Sequence, residues 1–170
     1  SESEITSFGI HGADTISHLD GRLYFNGQLL TSGVLPIGIF EGNSFSVVIT
    51  SQELIYLTEE GELIERLDNS QLPFETLSFL AADKSGKPVL VAEDGQWQPD
   101  DDWLDFETFN GSFSVEPIEA VDLDPSIRKM ILSTHQGEGV SLNRVLLDLH
   151  SGRLFGWGGR TLMDLTAVAI

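Results

Sequence analysis

The apolar residues of this chain come in short runs separated by glycine turns. Leu23-Tyr24-Phe25 is followed by Asn26-Gly27 and then by Gln28-Leu29-Leu30. Leu54-Ile55-Tyr56-Leu57 leads through Glu60-Gly61 to Glu62-Leu63-Ile64, and Val89-Leu90-Val91 leads through Asp94-Gly95 to Gln96-Trp97. A run, a glycine turn and a second run is the pattern of a β-hairpin, where glycine supplies the positive φ that a tight turn needs.

These turns recur at a fixed interval. Gly27, Gly61 and Gly95 lie 34 residues apart, and the same interval links Phe45, Phe79 and Phe113, each preceded by a serine (Ser44, Ser78 and Ser112). Phe45 to Thr50 and Phe79 to Asp83 read as strands leading into the next hairpin. Helical tetratricopeptide arrays share this interval, but the β-branched residues and hairpin turns here do not follow helical spacing. The expected fold is mainly β: a repeated β-meander, propeller-like, with two short C-terminal helices. About three units are visible, fewer than the four or more blades of a closed propeller. The expected form is an incomplete fan or a stacked meander, and closing it takes strands from the C-terminal part or from another chain.

After Phe113 the periodicity changes. Asp124-Pro125 combines an N-cap with proline at the first helical position, and Ile127, Met130 and Ile131 follow at helical spacing. A helix is expected from Pro125 to about His135, ended by Gln136-Gly137. A second is expected from Ser141 to His150, with Leu142, Val145, Leu146 and Leu149 on one face. The stretch from Thr161 to Ile170 is apolar but shorter than the ~20 residues that span a bilayer. It reads as the opening of a truncated transmembrane helix. The organisation is therefore a β-repeat domain over 1–120, a helical junction over 121–160 and the membrane-helix start over 161–170.

The chain has 170 residues and a net charge of −18, from nine Lys or Arg against 27 Asp or Glu. Such a surface repels phosphate backbones and anionic headgroups, which argues against nucleic-acid binding and favours cationic partners or plain solubility. The absence of cysteine removes disulfides, thiolate metal sites and thiol nucleophiles.

The segment from Arg144 to Leu165, RVLLDLHSGRLFGWGGRTLMDL, resembles the junction motif of PepSY-associated transmembrane proteins, a bacterial inner-membrane family. The matching positions are Arg144, Leu149, His150, Gly152, Gly156 and Asp164, within about 25 residues. The rest of the chain does not look like the small α/β PepSY module, so the β repeats stand as an extracytoplasmic insertion. The resemblance implies a domain facing the periplasm and an inner-membrane anchor continuing past Ile170. Members are linked to iron acquisition, including reduction of siderophore-bound iron, or to peptidase regulation. It also implies a place for His150 as a haem ligand in the full-length protein or as an anchor at headgroup level. No cofactor is expected within this domain itself.

Other candidate chemistry is sparse. His11, His18, His135 and His150 form no metal-binding pair at helical spacing. For His150 the structural alternative is a helix C-terminal histidine favoured by the macrodipole. Asp100, Asp101, Asp102 and Asp105 flank Trp97 and Trp103 and are the weak candidates for a hard cation such as Ca²⁺, although no EF-hand loop surrounds them. A dense acidic run more often marks a solvated loop. No G-x-S-x-G elbow or phosphate loop is present. Gly152, Gly156, Gly158 and Gly159 read as a flexible joint. The function expected is a noncatalytic periplasmic sensor or interaction domain. The alternative is the extracytoplasmic part of a membrane redox system for iron or siderophore uptake.

Overall fold

The computed structural model describes residues 4–136. They divide into a β unit that ends at Leu123 and a second unit that begins at Asp124.

The β unit is built of thirteen strands in three antiparallel sheets. The first sheet is a meander of β1 (Thr6–Ile10), β2 (Asp14–Leu19), β3 (Arg22–Phe25) and β4 (Gln28–Ser32). The second repeats that order with β5 (Gly38–Glu41), β6 (Ser46–Ile49), β7 (Glu53–Leu57) and β8 (Leu63–Asp68). The third contains β9 (Leu77–Asp83), β10 (Pro88–Ala92), β11 (Gly95–Pro99), β12 (Phe106–Thr108) and β13 (Phe113–Val115), in the order β12-β11-β10-β9-β13.

All three expected hairpins form, each with its own turn. Asn26 and Gly27 hold φ of 50° and 89° between the paired residues Phe25 and Gln28, a type I′ turn that matches strand twist. Gly61 closes a longer loop, in which its N–H donates to the Thr58 carbonyl at 3.0 Å and Thr58 N–H donates to the Glu62 carbonyl at 2.8 Å. Gly95 pairs with Ala92 and opens β11, so Glu93 and Asp94 make the turn. A further two-residue turn, Asp20-Gly21, joins β2 to β3 and also has positive φ at both positions.

The repeat extends to a local irregularity. The register of β4 skips Leu30, and that of β8 skips Ile64, so both last strands are bulged 34 residues apart. A bulge twists an edge strand and blunts its capacity to pair with another chain. Phe113 breaks the repeat. The interval places it as the start of a further unit, whereas β13 pairs with β9 on the edge opposite β10, bringing the Phe79 and Phe113 rings to 6.2 Å.

The second sheet is covered on both faces. Alternation along a strand sends Val48, Ile55 and Leu57 toward Ile10, Ile16 and Leu23 of the first sheet. It sends Val47, Ile49, Leu54 and Tyr56 toward Leu80, Leu90 and Trp97 of the third. This explains why β6, Ser-Val-Val-Ile, is buried at every position instead of every second one.

After β13 the chain returns to the first sheet. Ala120 bridges Phe8 on the open edge of β1, and Val121 N–H donates to the Ser7 carbonyl at 2.8 Å. Among the described residues, no sheet closes on itself as a barrel.

The second unit opens with the expected helix, over residues 125–136. Asp124 caps it: its carboxylate accepts from Ser126 N–H at 2.8 Å and from the Ser126 hydroxyl at 2.7 Å, bonds that hold its carboxyl below the usual range. Gly137, where the helix is expected to end, the helix expected from Ser141 to His150 and the apolar stretch 161–170 lie outside the described residues. Among the described residues, no helix is long and apolar enough to cross a membrane.

Candidate functional site

The acidic run singled out in the sequence is the loop between β11 and β12, and it is a built turn. The Asp100 carboxylate accepts from Leu104 N–H at 2.9 Å and Asp105 N–H at 3.1 Å, and these backbone donors hold its carboxyl below the usual range. Asp100 N–H donates to the Asp105 carbonyl at 2.9 Å, and Trp103 N–H donates to the Asp100 carbonyl at 3.0 Å.

Trp103 anchors the loop. It takes φ of 59°, uncommon for a bulky residue, and its side chain is buried. Its ring lies 4.8 Å from Phe40 and 6.5 Å, edge-on, from Phe106. The Tyr56 hydroxyl, from the second sheet, donates to the Trp103 carbonyl at 2.6 Å. Burial pushes the Tyr56 phenol above the ordinary tyrosine range, with Glu65 and Asp100 adding to the effect. Trp97 is also buried, 5.2 Å from Phe74, so neither tryptophan forms an exposed platform for a flat ligand.

Turning Trp103 inward turns Leu104 outward. At 61% exposure Leu104 is the most exposed large hydrophobic residue described, and Asp101, Asp102 and Asp105 beside it are exposed too. The loop therefore presents an apolar tip within a rim of negative charge, fixed from behind by a hydrogen bond and an aromatic cluster. Such a surface suits contact with a cationic or amphipathic partner more than it suits catalysis. The acids stand out in the sequence, whereas Leu104 does not. The only signal was an apolar residue following a tryptophan inside an acidic run.

Two sets of polar contacts join one sheet to the next. Arg66 on β8 pairs with both oxygens of Glu53 on β7, and its Nη1 donates to Thr31 Oγ1 on β4 at 2.6 Å. Nε and Nη2 thus tie β8 to β7 within the second sheet, and Nη1 ties that sheet to the first. His11, in the turn before β2, places Nε2 2.7 Å from the hydroxyl of Ser46 on β6. This resembles a nucleophile and its base, but Ser46 is 1% exposed, so the pair serves as an inter-sheet contact. His18 is half-buried on β2, and burial lowers its pKa.

Among the described residues, no group of three or more His, Asp or Glu side chains is arranged to hold a metal ion. The Asp100 carboxylate faces backbone amides instead of converging with Asp101, Asp102 and Asp105. His150 lies outside the described residues, as do Arg144, Gly152, Gly156 and Asp164.

Charge is unevenly distributed along the chain. Residues 1–123 hold 23 of the 27 acids and only Arg22, Arg66, Lys84 and Lys87 of the nine cations. The β unit thus carries the whole negative excess, and the acidic rim around Leu104 lies within it. Comparison of the chain with protein-family models, with curated proteins and with solved structures finds no match.

Proposed function

We propose that this chain is a noncatalytic sensor or interaction domain facing the periplasm, part of a PepSY-associated inner-membrane protein, with the Asp100–Asp105 loop as its contact element. The observation that carries the interaction reading is Leu104, held outward among three exposed aspartates by a buried Trp103. An exposed leucine on a pre-ordered loop loses little conformational entropy on docking, and the acidic rim steers a basic partner toward it. The family and the compartment rest on the residues from Arg144 to Leu165.

The propeller-like arrangement is supported by the length of one connection. Stacked sheets lie ~10 Å apart, so the outer two of three parallel layers are ~20 Å apart. Yet the chain leaves β9 at Val115 and reaches β1 at Ala120, five residues that span at most ~17 Å. Sheets that converge at these edges, as blades do, fit a connection of that length. Gly38 on β5 agrees: a Cβ added there would lie 2.8 Å from Leu80 Cβ on β9.

The test places a photo-crosslinking residue at position 104 of the protein in its native membrane. A discrete adduct, lost when Asp101, Asp102 and Asp105 are changed to Asn, is expected, with none from the same probe at Lys84. Equal labelling at both positions overturns the reading. An absorption spectrum of the detergent-purified protein with and without reductant tests the redox alternative. A Soret band weakened by His150→Ala replaces the noncatalytic reading with membrane redox work for iron or siderophore uptake.

A further inference from the structure

We propose that residues 113–121 form a clasp on the β unit, hinged on the third sheet and releasable from the first. The two ends of this segment are held very differently. At the third sheet, Phe113, Ser114 and Val115 pair with Asp83, Ala82 and Ala81. Glu116 N–H adds a bond of 2.8 Å to the Leu80 carbonyl, and the Phe113 ring packs on Phe79. At the first sheet there is one bridge, Phe8 with Ala120, and one bond, from Val121 N–H to the Ser7 carbonyl. Ala120 and Val121 are exposed, as are Ser114, Val115 and Glu116, so the two ends differ in the number of pairings and in the Phe113–Phe79 contact.

Exposed backbone bonds without buried contacts open with the smallest free energies in a protein. The Ala120–Val121 end therefore opens while β13 stays paired. Charge acts in the same direction. Glu116, Glu119 and Asp122 lie in or beside the segment, within a unit that is strongly negative throughout.

Release frees the Ser7 carbonyl and completes an unpaired outer edge on β1, an edge competent to pair with another strand.

The test is amide exchange by NMR, together with a lock that the chain's lack of cysteine makes clean. Antiparallel pairing of Phe8 with Ala120 sets Gly9 opposite Glu119. Both are exposed, and a Cβ at Gly9 would meet nothing within 4 Å, so G9C with E119C leaves room for a short, reducible bifunctional thiol crosslinker that closes the clasp. In the unmodified protein the Val121 amide is expected to exchange on the order of 100-fold faster than those of Glu116 and Val48, as for a local opening. Crosslinking of the double variant is expected to remove that difference, and reduction of the crosslink to restore it. Protection of Val121 equal to that of Val48 overturns the proposal, because the contact would then open only on global unfolding. Equally fast exchange at Val121 and Glu116 also overturns it, because the segment would then have no hinge.

Discussion

The ring of Phe25, on β3 of the first sheet, lies directly over Gly61 in the turn between β7 and β8 of the second. A Cβ at Gly61 would sit 2.2 Å from Phe25 Cδ2, and Gly61 itself holds φ of 88°. Gly61→Ala therefore combines backbone strain with overpacking and is expected to destabilise the β unit by about 3 kcal/mol. Gly86→Ala separates the two effects, because Gly86 has nearly the same φ, 86°, with nothing within 4 Å of an added Cβ. Urea midpoints should show a loss of only about 1 kcal/mol there. Equal losses at the two positions would mean that the Phe25 contact contributes nothing.

Tyr56 reports on the anchoring of the acidic loop. Tyr56→Phe leaves the Trp103 carbonyl without its donor and is expected to lower stability by about 1–2 kcal/mol. Because the same bond holds the loop, the Trp103 environment should loosen, visible as a red shift in tryptophan emission. Unchanged emission alongside lost stability would separate that bond from loop order.

His18 makes stability depend on pH. Burial lowers its folded pKa below the ordinary 6.5, against smaller opposing effects of the Gly33 backbone and Asp20. Below 6.5 the unfolded chain binds this proton first, so the His18 contribution is complete above about pH 6.5 and is lost as pH falls toward the lower folded value. The stability difference between the native protein and His18→Gln should shrink across that window. A difference constant from pH 8 to pH 5 would refute it. Asp83, Asp100 and Asp124 act in a separate, lower window. Their folded pKa values lie below the ordinary 3.8, so their contribution is complete above 3.8 and is lost only as pH falls further.

With 23 acids against four cations in residues 1–123, the β unit repels itself. Raising NaCl from 10 to about 200 mM shortens the screening length several-fold and is expected to raise Tm by about 3 °C, equivalent to about 1 kcal/mol. A fall in Tm would show that the Arg66–Glu53 pair outweighs the general repulsion.

Features that one or two residues can specify are legible along the chain. Asn26-Gly27 takes the mirror-image turn because glycine alone tolerates that φ without penalty, and the flanking runs then pair by adjacency. Asp124-Pro125 starts a helix because the cap and the fixed proline φ act within one turn. The acidic run was equally visible, but its role was not. Whether Asp100 binds a cation or builds a turn depends on where Leu104 N–H and Asp105 N–H point, and on Tyr56, 47 residues from Trp103, reaching the Trp103 carbonyl. The 34-residue interval placed Phe113 at the head of another unit, whereas the structure sets β13 on the free edge of β9. Only the tertiary structure decided that pairing, the inward turn of Trp103 and the return of Ala120 to β1. Strand partners distant in sequence are chosen by which edges and apolar faces remain unpaired once the local hairpins have formed, and no local pattern records that choice.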